Sequence, residues 1–134
     1  MHEPRESKYL PFTPPPRWTT NLKYDLIRDG KIINNAFVGF NFEYNFEQNH
    51  FYAEGNTETF TPDYGLINLH TGADFILLKQ RTSLFIEVTN LTNKSYQNHL
   101  SRLKYTAINN ATKRQGIYNM GRNICFKLVI PLLL

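Results

Sequence analysis

From Arg17 the even positions read Trp18, Thr20, Leu22, Tyr24 and Leu26, while the odd positions read Arg17, Thr19, Asn21, Lys23 and Asp25. An extended backbone sends alternate side chains to opposite faces, so this order makes one greasy and one wet surface and predicts a strand. From Asn35 the set Ala36, Val38, Phe40, Phe42, Tyr44 and Phe46 opposes Asn35, Gly39, Asn41, Glu43, Asn45 and Glu47, with Phe37 the one break. Beyond Leu66 the apolar set moves to odd positions, Ile67, Leu69, Ala73, Phe75 and Leu77, against Asn68, His70, Gly72 and Asp74. A fourth run sets Leu84, Ile86 and Val88 against Ser83, Phe85, Glu87 and Thr89. A fifth sets Ile124, Phe126, Leu128 and Ile130 against Asn123, Cys125, Lys127 and Val129. The expectation is an all-β chain of five strands.

The runs are long. Strands of globular proteins centre on about 5 or 6 residues, whereas a tilted strand crossing a bilayer needs about 9 to 11. A barrel with lipid outside and water inside must hold its alternation across the whole membrane. The connections alternate as well. Arg28 to Lys31, with Asp29-Gly30 at its centre, reads as a tight hairpin, and little more than Lys79 and Gln80 separates the third and fourth runs. Gln48 to Asp63 and Thr92 to Ile117 are long. In an up-and-down meander, this order sends both short turns to one rim and both long loops to the other, as in barrels with tight periplasmic turns and extended outer loops. Trp18, Tyr24, Tyr44, Phe46, Tyr64 and Tyr118 fall near strand ends, where rings settle at a membrane interface; a preference of strands for aromatics gives the same placement.

A length of 134 residues sets the scale at one domain. The 41% hydrophobic and 14% aromatic content, with only 19% charged residues, excludes a disordered chain. Mean hydropathy is −0.44, and no uncharged apolar window suits a transmembrane helix, whereas strands average out on such a scale. The net charge of +4 is scattered, which argues against nucleic acid as a partner. Met1 to Glu6 has no apolar stretch of the secretory kind, so export is expected only as part of a longer polypeptide. Cys125, the single cysteine, sits in an apolar run and reads as a small buried hydrophobe.

Candidate chemistry is thin. His50, His70 and His99 have no second ligand at metal spacing and read as solvated or loop-fixing imidazoles, with no metal and no cofactor. Asp25, Glu43, Glu47 and Glu87 share the wet parity, where a carboxylate needs no catalytic role, and no enzyme is expected. Arg102, Lys104, Lys113, Arg114 and Arg122 are candidates for a basic rim that meets an anionic ligand or lipopolysaccharide phosphates. Asn90, Asn93 and Asn110 open sequons, about as many as the content of Asn, Ser and Thr gives by chance.

The run Asn90-Leu91-Thr92-Asn93-Lys94 with Tyr96, then His99-Leu100-Ser101-Arg102-Leu103-Lys104, then Gly116-Ile117-Tyr118-Asn119-Met120-Gly121-Arg122-Asn123-Ile124 resembles the carboxy-terminal end of TonB-dependent outer-membrane receptors. Leu10-Pro11-Phe12, Pro14 to Arg17 and Thr61-Pro62-Asp63-Tyr64 are similar to upstream segments of that family. The resemblance implies an antiparallel transmembrane β-barrel segment over 1–134, about the last fifth of a barrel of about 22 strands, with no plug domain present. It implies a bacterial outer-membrane location and TonB-dependent uptake of a scarce nutrient: an iron chelate, haem, a corrinoid or a glycan. The implied partners are outer-membrane lipid and lipopolysaccharide, the remaining barrel and plug, and TonB through the missing amino-terminal region. One departure is the ending, Pro131 then Leu132, Leu133 and Leu134, where the family commonly ends on an aromatic. The ligand-binding residues are not legible. The alternation also admits a soluble lipocalin-like barrel with its apolar residues inside, and a surface adhesin.

Overall fold

The computed structural model describes residues 9–52, 58–77 and 79–131. The start of the chain over Met1–Glu6 and the ending Leu132–Leu134 lie outside the described residues. Five strands, β1 (Arg17–Ile27), β2 (Ile33–Asn45), β3 (Tyr64–Leu77), β4 (Gln80–Thr89) and β5 (Asn123–Val129), form one open antiparallel sheet in sequence order. The expected runs and the observed strands coincide to within a few residues. No helix among the described residues is long and apolar enough to cross a membrane.

Register carries the alternation from strand to strand. Leu69, Thr71 and Ala73 of β3 pair with Val88, Ile86 and Leu84 of β4, which pair on their other side with Ile124, Phe126 and Leu128 of β5. Paired residues share a face, so these make rows across three strands that are apolar except at Thr71. The intervening rows, His70–Glu87–Cys125 and Gly72–Phe85–Lys127, and the flanking row Asp74–Ser83–Val129 stand on the other face. Leu77 pairs with Gln80, which leaves a two-residue connection, and Lys79 takes φ 65 as such hairpins require.

The apolar rows are not covered. Ala36 and Tyr64 are the buried apolar side chains among the described residues. Trp18, Leu22, Tyr24 and Leu26 of β1 are exposed, as are Ile124, Phe126 and Leu128 of β5, and Phe126 is 69% exposed. Cys125 is an exposed thiol rather than a buried hydrophobe, because pairing with Glu87 places it on the wet face of an edge strand. Tyr64 also departs from the interface-ring expectation: it is 7% exposed and stacks on Tyr96, with ring centroids 4.6 Å apart.

The chain divides into two compact units. One comprises Thr19–Glu43, Gly65–Lys94 and Gly121–Leu134, and contains most of the strand residues and both short connections. The other comprises Met1–Trp18, Tyr44–Tyr64 and Ser95–Met120, so both long connections fold into it. Within that loop unit Gln48 and Thr61 exchange backbone hydrogen bonds at 2.9 and 3.2 Å, and Phe46 N donates to Pro16 O at 3.0 Å. A 3-10 turn at Arg102–Tyr105 is followed by Ile117 N donating to Leu103 O at 2.8 Å. The long connections are built structure.

Candidate functional site

In the sheet unit the wet face is organised by side-chain amides. Asn41 Nδ2 donates to Asn21 Oδ1 at 2.6 Å, Asn68 Nδ2 to Asn41 Oδ1 at 2.8 Å, and Asn90 N to Asn68 Oδ1 at 2.8 Å. Asn90 continues the relay, its Oδ1 accepting from Lys94 N at 2.8 Å and its Nδ2 donating to Lys94 O at 2.9 Å. An amide both donates and accepts, so a file of Asn can cross several strands without a break. Further along, Asp74 gathers Asn35, Arg81 and Ser83 at 2.8, 2.7 and 2.6 Å.

Phe37 and Phe85, the aromatic intruders on this face, lean over Gly72, where a Cβ would stand 2.6 Å from Phe85 Cδ1 and 2.8 Å from Phe37 Cε1. Rings laid over a glycine restore the side-chain packing it lacks. Lys23 Nζ sits 4.5 Å from the Phe37 ring centroid and Lys127 Nζ 5.9 Å from that of Phe85. Each ammonium thereby covers a π face while its charge stays wet. A groove of about 480 Å³ runs past Lys23, Asp25, Phe37, Asp74 and Phe85.

The loop unit holds the densest polar cluster. Lys104 Nζ donates to Thr59 O at 3.0 Å, Phe60 O at 2.6 Å and Thr61 Oγ1 at 2.6 Å, which uses all three ammonium hydrogens. Thr61 Oγ1 lies 2.8 Å from His99 Nδ1, and His99 Nε2 lies 4.0 Å from Glu58 Oε2 without a hydrogen bond. Glu58 accepts from the backbone N–H of Phe12 and, at 2.9 Å, of Tyr52. Thr61, His99, Glu58 and Lys104 are all buried. Burial holds the His99 imidazole below its ordinary range, and the Lys104 ammonium presses the same way against the pull of Glu58. Burial also lowers the Lys104 ammonium. Carboxylate, imidazole and hydroxyl follow one another as in a nucleophilic triad, but the hydroxyl is 2% exposed and already serves Lys104. The cluster ties three stretches of chain together.

The basic rim expected from Arg102, Lys104, Lys113, Arg114 and Arg122 therefore loses Lys104, whose charge turns inward on carbonyl groups. Arg102, Lys113 and Arg114 are exposed, and Arg114 lies 5.4 Å over the Tyr118 ring. Arg122 is exposed, and its backbone N–H donates to Asn93 Oδ1 at 2.9 Å. Among the imidazoles, His99 is loop-fixing, His50 is exposed with its ring 4.9 Å from Tyr9, and His70 stands on the wet face opposite Glu87. Among the described residues no three of His, Cys, Asp and Glu converge as for a metal. Asp25 pairs with Lys23 and Arg28 at 3.6 Å, and Glu47 accepts from Asn49 at 3.2 Å. The buried Asn90, whose side chain is bonded twice to the Lys94 backbone, is a turn anchor. Glu58 escaped sequence reasoning, and Thr61 entered it only within the segment Thr61-Pro62-Asp63-Tyr64, with no role in a cluster.

Gly116 closes the cluster's rear wall at φ 76, where a Cβ would be driven into Lys104 O. Gly116→Ala is expected to cost about 1 to 3 kcal/mol, read as lost amide protection of Ile117 with the sheet amides unchanged.

No protein-family model, no curated protein and no solved structure matches the chain.

Proposed function

We propose that this chain forms the carboxy-terminal wall of a transmembrane β-barrel, as a part of an outer-membrane receptor that takes up a scarce nutrient with energy delivered through TonB. The observation that carries this reading is the register: mostly apolar rows continue from β3 through β4 to β5 and end exposed on β5, and the apolar residues of the other edge strand, β1, are exposed as well. A water-soluble sheet would leave such rows as an aggregation hazard, whereas lipid turns them into the stabilising face. Strands of 11, 13, 14 and 10 residues for β1 to β4 suit a tilted bilayer crossing of about 9 to 11 residues, while β5 has 7. The amide-rich face suits a water-filled lumen. The remaining barrel and a plug would complete the receptor, with lipid and lipopolysaccharide around it.

Topology tests the reading. In a Cys125→Ser background, Asn110→Cys should react with an impermeant thiol reagent on intact cells making the complete receptor. Asp29→Cys should react only once the outer membrane is opened. Labelling of Asp29→Cys on intact cells would reverse the orientation, and equal labelling of both variants in a detergent-free soluble fraction would replace the barrel by a soluble module.

A further inference from the structure

The buried cluster of the loop unit has an internal direction. Lys104 can only donate, so Thr61 Oγ1 accepts from it, and the single Thr61 hydroxyl hydrogen is left for His99 Nδ1 at 2.8 Å. Nδ1 is then the acceptor nitrogen, and the neutral ring carries its hydrogen on Nε2, which faces the Glu58 carboxylate. The opposite tautomer would aim a bare lone pair at a carboxylate and leave the Thr61 hydrogen without a partner. Of the two neutral tautomers this one uses Nδ1 fully and turns its Nε2–H toward Glu58 at 4.0 Å, short of a hydrogen bond.

A second proton on His99 must go to Nδ1. There it confronts Thr61 Oγ1, which would have to accept from two cations at once while its own hydrogen lost its acceptor. Glu58 offers partial relief from the Nε2 side, at 4.0 Å, but its oxygens already hold the N–H groups of Phe12 and Tyr52. The charged and titratable groups around His99 are Glu58 and Lys104, together with Arg17 and Tyr64, which line with it a groove of about 450 Å³. Of these, Glu58 is the counter-charge and is already engaged.

We propose that Glu58, His99, Thr61 and Lys104 form a proton-operated clasp, which holds the segment around Phe12 and the two long connections together at neutral pH and releases them in acid. The clasp rests on the hydrogen-bond direction within one unit and stands whether or not the sheet faces lipid. Its pH dependence has a definite sign. A histidine held below its ordinary value binds fewer protons folded than unfolded, so its contribution is intact above about pH 6.5 and declines as the pH falls below that. Opening should increase by at most about tenfold for each pH unit in that window.

Amide exchange on the whole chain in detergent, corrected for intrinsic rates, should compare about pH 7.5 with about pH 5. Protection at Tyr52 and Thr61 should fall relative to Leu84 and Ile86 of β4, by no more than about tenfold for each pH unit below about 6.5. His99→Asn keeps an acceptor near Nδ1 that takes no proton, and should leave that protection independent of pH. Nitrogen NMR of His99 in the unaltered chain should find the neutral ring protonated on Nε2 at about pH 7.5. A ring protonated on Nδ1, an unchanged protection ratio, an equal loss in the sheet, or the same pH response in His99→Asn would each overturn the clasp.

Discussion

Arginine in place of Phe126 is expected to destabilise the membrane-inserted sheet by about 2 to 4 kcal/mol, while arginine in place of the adjacent Lys127 costs little. Phe126 sits in the middle of the three paired rows, opposite Ile86, and it is the most exposed apolar side chain of β5. In a bilayer a guanidinium there must be drawn towards a headgroup or thin the membrane locally, whereas at Lys127 it replaces one cation by another over the Phe85 ring. Asn41 is a poorer control, because its amide joins Asn21 to Asn68 and any substitution breaks that relay. Equilibrium unfolding from lipid vesicles measures the pair directly. Equal costs at the two positions would remove the lipid-facing assignment and, with it, the barrel reading.

The strands were legible because a period of two is a local signal: each residue of β1 or β4 names its face without knowledge of its partner. The same period limits register to slips of an even number of residues, since a slip by one would put Asp74 and Glu87 on the apolar face, but the actual pairing is a fact of the fold. The short connection at Lys79 was readable from spacing, whereas the tight Asp29-Gly30 turn was not found: β1 and β2 are joined by five residues and Gly30 does not take positive φ. The buried cluster was not. Thr61 meets His99 across 38 residues and Lys104 across 43, and no periodicity links positions in two irregular connections. Lys104 lies in a run of cations and shares their sequence signature, yet only the fold brings the Thr59 and Phe60 carbonyl groups to its ammonium. Phe37 was visible as a break in the pattern and Phe85 stood in the polar set of its strand, but their reason, a glycine between them on the middle strand, is a fact of cross-strand neighbours. Tyr64 looked like a ring at a strand end and proved to be a stacking partner of Tyr96, 32 residues on, because nothing local separates an outward ring from one folded inward.

Lys104→Met should open the loop unit at a cost of about 2 to 5 kcal/mol. Methionine retains much of the apolar stem, so the lost packing is small and the loss falls on hydrogen bonds. Three donors vanish together: the carbonyl oxygens of Thr59 and Phe60 and the Thr61 hydroxyl each lose a charged partner. Those three acceptors lie in a buried cluster, and a buried acceptor left without its donor costs more than the bond contributed. Lys104→Arg should fall between the two, since a planar fork cannot converge on three acceptors as a tetrahedral ammonium does. Local amide exchange resolves the effect: protection at Thr61 and Ile117 should collapse while the β4 amides keep theirs. A surface lysine would cost under about 1 kcal/mol. A value that small for Lys104→Met would return the residue to the exposed cationic rim and leave His99 without the neighbour that fixes the direction of its hydrogen bonds.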